Sequence, residues 1–66
     1  MKITVNGKSR ELAAGTTVQA LLATLQMDAD RVAAEHNGSI VPKNRFADTI
    51  LAEGDSLELV QFVGGG

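Results

Sequence analysis

The dipeptide Asn-Gly occurs twice in this chain of 66 residues, beginning at Asn6 and at Asn37. Both positions of such a pair tolerate positive φ angles, which the type I′ turn of a two-residue β-hairpin requires. The segments around the two pairs, residues 2–13 and residues 32–42, are therefore predicted to form two hairpins. The alanine-rich start of the second segment also suits a helix by propensity, but the Ile-Val pair after its turn favours strands, and the following proline ends the pairing.

A single amphipathic helix is predicted between the hairpins. Thr16 is assigned as its N-cap, because Gln19 stands three residues later, at the spacing of a capping box. The apolar residues of this segment recur at i, i+3, i+4 and i+7, as on one face of a helix: Val18, Leu21, Leu22 and Leu25. Such a stripe needs a sheet to pack against.

The last part of the chain, residues 56–63, has the clearest strand pattern. Ile50 and Leu51 before it are expected to pack, and residues 43–49 to form a loop or short helical turn held by Phe46. The resulting order, ββαββ and a final strand, predicts an α+β fold in which one helix covers one face of a sheet.

Composition excludes several classes of protein. The chain has no cysteine, which excludes a disulfide framework, a thiol nucleophile and the common zinc sites. The net charge of −2 is spread without a basic run, and Phe46 and Phe62 are the only aromatic residues, so nucleic acid is not an expected partner.

Neither a secretory signal nor an apolar segment of membrane-spanning length is recognisable, so we expect a cytoplasmic protein without membrane contact. Residues 1–63 are expected to form one domain, and residues 64–66 a flexible C-terminal glycine tail.

The side chains offer little for catalysis. His36 is the only histidine, and its neighbour Glu35 would point to the opposite face of a strand, so the two cannot form a base and its orienting partner. Asp28 and Asp30 could be read as paired carboxylates or as ligands of a hard metal ion, but their place after the helix is typical of a polar connection. We therefore predict neither catalytic residues nor a metal site, and a structural role for His36.

The glycine tail leaves one reactive group, the α-carboxylate of Gly66. Gly64 and Gly65 would give it reach, because a backbone without Cβ atoms can thread a channel too narrow for side chains. A phosphate-binding loop is excluded because no helix follows the glycines. A frayed terminus or an expression scar is the alternative reading of such a run.

The last strand also predicts a docking surface. If Leu57 and Leu59 face the helix, strand alternation places Val60 and Phe62 on the outer face. An exposed apolar pair beside the tail is typical of a contact surface for a partner. The alternative is that a loop folds over the pair.

Several segments together resemble the ubiquitin-like sulfur carriers of bacterial cofactor biosynthesis, and most closely the branch that serves thiamine biosynthesis. They are residues 2–7 (KITVNG), residues 15–18 (GTTV) leading into the Leu21-Leu22 helix, residues 36–42 (HNGSIVP), residues 53–55 (EGD) and the final Gly65-Gly66. The resemblance covers the whole chain and implies a β-grasp fold, in which the first and last strands are central and parallel. His36 departs from the pattern, since an apolar residue is expected there.

The resemblance also implies a function. An E1-like adenylating enzyme would use ATP and magnesium to activate the carboxylate of Gly66, and sulfur from a persulfide donor would convert it to a thiocarboxylate. A thiazole synthase would then take the sulfur. The chain itself would bind no cofactor and would be a co-substrate rather than an enzyme.

Two other functions remain open on the sequence. The small subunit of molybdopterin synthase resembles the same fold, tail and activation chemistry, although it is usually longer and approaches its diglycine differently. A ubiquitin-like binding module without covalent chemistry would use Val60 and Phe62 but not the carboxylate. An enzyme is excluded because no convergent set of titratable side chains is present.

Overall fold

The computed structural model describes residues 1–63. Its regular elements are the strands β1 (Lys2–Val5), β2 (Lys8–Glu11), β3 (Val32–His36), β4 (Ser39–Val41) and β5 (Ser56–Gln61), the helix α1 (Val18–Thr24), and two 3-10 turns (Ala29–Arg31 and Lys43–Arg45). The strands form one mixed sheet in the order β2-β1-β5-β3-β4. The predicted α+β architecture, with a single helix on a mixed sheet, is confirmed.

Both Asn-Gly pairs form the predicted turns. The φ angles are 51° and 80° at Asn6 and Gly7, and 51° and 85° at Asn37 and Gly38, so all four residues adopt the left-handed conformation of a type I′ turn. Each turn joins an antiparallel pair, β1 with β2 and β3 with β4. The strand interpretation of residues 32–36 is therefore correct, and the helical alternative is wrong.

Strand β5 lies between the two hairpins and joins them, through an antiparallel pairing with β3 and a short parallel pairing with β1. The parallel ladder contains only Thr4 opposite Ser56 and Val5 opposite Leu57. The side chain of Asn6 extends this pairing: its Oδ1 accepts the amide of Leu59 at 2.7 Å, and its Nδ2 donates to the carbonyl of the same residue at 3.1 Å. The central, parallel first and last strands that the family resemblance implied are confirmed.

The helix begins one residue later than predicted. Its N-cap is Thr17, whose hydroxyl accepts the amide of Ala20 at 3.1 Å, and not Thr16. The carbonyl of Thr16 instead accepts the amide of Leu51 at 2.9 Å. This pairing keeps the chain extended as far as Thr17, so that the first helical residue is Val18. The capping-box pattern spans only three residues. It could not reveal this constraint, because Thr16 and Leu51 are 35 residues apart in the sequence.

One apolar core lies between α1 and the sheet. It contains Ile3, Val5, Val18, Leu21, Leu22, Val32, Ala34, Val41, Phe46, Leu51, Leu57 and Leu59. Every buried polar side-chain atom among residues 1–63 has a hydrogen-bond partner. Ile50, expected to pack beside Leu51, is exposed, because neighbouring side chains of an extended segment point in opposite directions.

The role of Asn6 generates a stability prediction. Asn6→Gly keeps a residue suited to positive φ but removes both side-chain hydrogen bonds to Leu59. We expect a loss of about 1–3 kcal/mol in the free energy of unfolding, measured by urea titration, because the backbone groups of Leu59 are partly buried. Asn6→Asp retains the acceptor and should lose less. An unchanged unfolding midpoint in Asn6→Gly would show that the two-residue ladder suffices alone.

Candidate functional site

The outward side of β5 and the residues beyond it form the candidate site. Leu57 and Leu59 are buried against the helix, whereas Glu58 and Val60 alternate with them on the exposed side. Val60 is 57% exposed and Phe62 is 58% exposed. Val60 therefore lies on the outward side of the sheet and Phe62 is exposed just beyond the strand, and the role of both in docking stays a prediction.

Phe62 is held in place although it follows the last residue of β5. Its amide donates to the carbonyl of Arg31, the residue before β3, at 2.7 Å. The backbone hydrogen bonding between this part of the chain and the β3 segment therefore continues one residue beyond the end of β5. With more than half of its surface exposed, Phe62 is not covered by any loop within residues 1–63. The alternative in which a loop folds over the apolar pair is therefore not observed in this part of the chain.

Gly64, Gly65 and Gly66 lie outside the described residues. The assignments made to them, reach for the first two and the reactive carboxylate for the third, stay predictions. The described chain leads towards them through Val63, which is 96% exposed.

His36 belongs to a hydrogen-bonded cluster at the end of the sheet. Its Nε2 lies 2.6 Å from Oδ2 of Asp55, which also accepts the amide of Ala52 at 2.8 Å, while Oδ1 of Asp55 accepts Nδ2 of Asn37 at 3.1 Å. The amide of Ser56 donates to the side chain of Asn37 at 2.8 Å. The cluster therefore fastens the turn of the second hairpin to the start of β5, which is a structural function.

These contacts lower the pKa of the Asp55 carboxyl group. The hydrogen bond with His36 lowers the pKa of Asp55, burial opposes that shift, and the bonds from Asn37 and the amide of Ala52 lower it further. From the sequence, Asp55 was considered only as part of the EGD segment, residues 53–55. No local signal could have found its pairing with a histidine 19 residues away.

Asp28 and Asp30 have structural roles. Oδ1 of Asp28 accepts the amide of Asp30 at 2.9 Å and caps the first 3-10 turn, and Oδ1 of Asp30 lies 3.2 Å from the ammonium group of Lys43. Within residues 1–63 no group of three or more potential ligands could hold a metal ion. In the same part of the chain, no helix has the length and apolar character to cross a bilayer.

Comparisons with known proteins agree on one family. The model of the ThiS family matches residues 3–66. The chain is 40% identical over 63 residues to the sulfur carrier protein ThiS of Bacillus subtilis, covering 94% of this chain and 96% of that protein. The crystal structure of a thiamine biosynthesis protein, ThiS, from Geobacter metallireducens superposes with a TM-score of 0.85 at 36% identity, over 100% of both chains.

A longer relative carries a similar segment. A thiazole synthase of Paramagnetospirillum magneticum is 47% identical over 66 residues, which is 100% of this chain and 20% of that protein. The chain therefore spans about a fifth of the length of this curated relative.

The cluster around Asp55 predicts how stability depends on pH. A carboxyl group with a lowered pKa in the folded state contributes stability above its unfolded pKa, here the ordinary 3.8, and that contribution is lost as the pH falls through the folded pKa. We expect Asp55→Asn to cost about 1–3 kcal/mol at pH 7, because it removes the charge-assisted bonds. As the pH is lowered from about 5 to about 2, the unfolding free energy of Asp55→Asn should fall less than that of the wild type, because the variant has no carboxylate to protonate at this position.

Urea titrations at several pH values would measure both effects. Asp48→Asn, which removes an exposed carboxylate 3.7 Å from Arg45, is the matched control. Equal acid sensitivity of Asp55→Asn and the wild type would contradict the assignment.

Proposed function

Because the chain belongs to the ThiS family, we propose that it is a sulfur carrier of thiamine biosynthesis whose Gly66 carboxylate is converted to a thiocarboxylate. The observation that carries the proposal is the family match, which runs through the last residue of the sequence. The central position of β5, which leads to that residue from the middle of the sheet, supports it.

The chemistry explains why a carrier of this kind needs partners. A carboxylate is a poor electrophile, so an adenylating enzyme would use ATP and magnesium to form an acyl-adenylate at Gly66, with release of pyrophosphate. The terminal sulfur of a persulfide would then attack the acyl carbon and expel AMP. A thiol would cleave the resulting acyl disulfide, leaving the thiocarboxylate and a new disulfide.

The described residues are suited to carrying rather than catalysing. General acid–base catalysis needs a titratable side chain within reach of the reacting group. The sole histidine contacts Asp55, and the potential metal ligands of residues 1–63 do not cluster. Proton transfers in the loading reaction are therefore assigned to the adenylating enzyme and to the sulfur donor.

A thiazole synthase is the proposed recipient of the sulfur. The 47% identity to a segment of a protein of that name supports this branch. The match to the ThiS family supports it over the small subunit of molybdopterin synthase, the nearest alternative in chemistry. Val60 and Phe62 are proposed to contact the partners while the tail enters their active sites, because exposed apolar side chains of this size favour contact with a protein surface.

A binding module without covalent chemistry is the second candidate function. The exposure of Val60 and Phe62 favours it as well, since both functions need a docking surface. Only the chemical state of the terminus separates the two.

Sulfur loading gives the direct prediction. Incubation with the adenylating enzyme, ATP, magnesium, a persulfide donor and a thiol should raise the intact mass by the difference between one sulfur and one oxygen atom. The same spectrum of the untreated protein should show a mature chain that ends at Gly66.

The matched control appends one alanine after Gly66. It should abolish loading, since the activated carboxyl would no longer belong to glycine, while the thermal unfolding midpoint stays unchanged. Loading of the extended chain would refute the role of Gly66. An unchanged mass of the wild type with an active enzyme would favour the binding module.

The docking surface gives a separate prediction. Val60→Asp and Phe62→Asp should each weaken binding to the adenylating enzyme by about tenfold or more, because each places a charge in an apolar contact. Isothermal titration calorimetry would measure the affinity, and circular dichroism would confirm the fold. Ile50→Asp is the control, since Ile50 is equally apolar, 63% exposed and outside the sheet. Equal losses in all three variants would contradict a specific role for the outer side of β5.

A further inference from the structure

The exposed apolar surface extends beyond the last strand. Ile40 on β4 is 77% exposed and pairs across the antiparallel ladder with Glu35 on β3. Val60 pairs in the same way with Ala33, which is also exposed. We call the outward side of β3, β4 and β5 the open face; it comprises Ala33, Glu35, Ile40, Glu58, Val60 and the adjoining Phe62. This face is wider than the apolar pair that the sequence indicated.

Two carboxylates lie in the middle of the open face. Glu35 and Glu58 are directly opposite each other in the β3–β5 ladder, and both are exposed. Directly opposite residues of an antiparallel pair have Cβ atoms about 4.5–5.5 Å apart, and like charges at such positions are destabilising. The pairing therefore works against the stability of the isolated domain.

The remaining carboxylates are accounted for by contacts within the domain. Five of them contact a basic group: Glu11 with the Met1 amino group, Asp28 with Arg31, Asp30 with Lys43, Asp48 with Arg45 and Asp55 with His36. Glu53 accepts the amide of Lys2 at 2.9 Å. Of the eight carboxylate side chains, all within the described residues 1–63, only Glu35 and Glu58 have neither kind of contact.

Covering the open face therefore imposes a chemical requirement on a partner. The apolar side chains Ile40, Val60 and Phe62 favour burial under another surface. Burial of the two carboxylates among them is costly unless a cation accompanies them. A planar guanidinium has donors enough for two neighbouring carboxylates, and arginine is favoured in interface ion pairs for this reason.

We propose that the open face docks a protein partner that inserts a cationic side chain, of arginine type, between Glu35 and Glu58 while apolar residues of that partner cover Ile40, Val60 and Phe62. This inference rests on the proposed function, because the partner is identified with the adenylating enzyme. It adds Glu35, Glu58 and Ile40 to the docking surface. The two carboxylates set the charge of the partner, and the apolar residues supply contact area.

Neutral variants of the acidic pair test the proposal. Glu58→Gln and the double variant Glu35→Gln/Glu58→Gln keep the shape of the side chains and remove the charges. Binding to the adenylating enzyme, followed by calorimetry, should weaken on the order of tenfold at low ionic strength for Glu58→Gln, and further for the double variant. The difference from the wild type should shrink in high salt, since the lost attraction is screened there. The urea midpoint of both variants should stay equal to that of the wild type or rise, because the repulsion is relieved.

Glu11→Gln is the matched control. It removes the same single charge from the chain, but at the edge strand β2, outside the docking surface. It should bind like the wild type, which would separate a specific contact from a general effect of net charge.

The outcomes separate this inference from the proposed function. A wild-type chain that is loaded with sulfur, together with a Glu58→Gln variant of unchanged affinity and salt dependence, would overturn the acidic contact and leave the carrier function standing. A wild-type chain that neither binds nor is loaded would overturn both. Self-association of the chain through the open face, detected by sedimentation and abolished by Val60→Asp, would identify a second copy as the occupant and would also overturn the inference.

Discussion

The parallel contact between β1 and β5 is the interaction on which this structure depends. Each hairpin closes locally through its own Asn-Gly turn, but nothing local brings the hairpins together. Within the described residues, β5 joins them by pairing antiparallel with β3 over five residue pairs and parallel with β1, and the parallel pairing is the shorter of the two. The parallel ladder has two residue pairs, and the side chain of Asn6 continues it by binding the backbone of Leu59 at both polar groups. A turn residue thus acts as an additional ladder position, which suits a sheet too small to offer longer strands.

The central position of β5 gives one strand two separate roles. Its inward residues, Leu57 and Leu59, are buried in the core, and its backbone pairs with a neighbour on each side. Its outward residues are consequently fixed in direction without having to contribute to the core. A surface on such a strand is more rigid than one on a loop, since its backbone is held by hydrogen bonds on both edges.

The sequence predicted the parts of the fold that local chemistry determines. The turns at Asn6 and Asn37, the helical stripe and the final strand all follow from rules that span fewer than about ten residues, and the structure confirms them. Contacts between distant residues lie beyond such rules. The parallel pairing followed only from the family resemblance, the N-cap moved to Thr17 because of a contact with the segment at Leu51, and the partner of His36 was not anticipated.

The same limit applies to the candidate site. Alternation along β5 was sufficient to place Val60 on the outer side, because that pattern belongs to one strand. The opposition of Glu35 and Glu58 depends on the register between two strands, and a shift of one residue would put the carboxylates on opposite sides of the sheet. Register in a sheet with one buried face is fixed by the core, here by residues such as Ala34 and Leu59, which are paired and buried. The packing that stabilises the domain therefore also dictates the unfavourable charge arrangement on its surface.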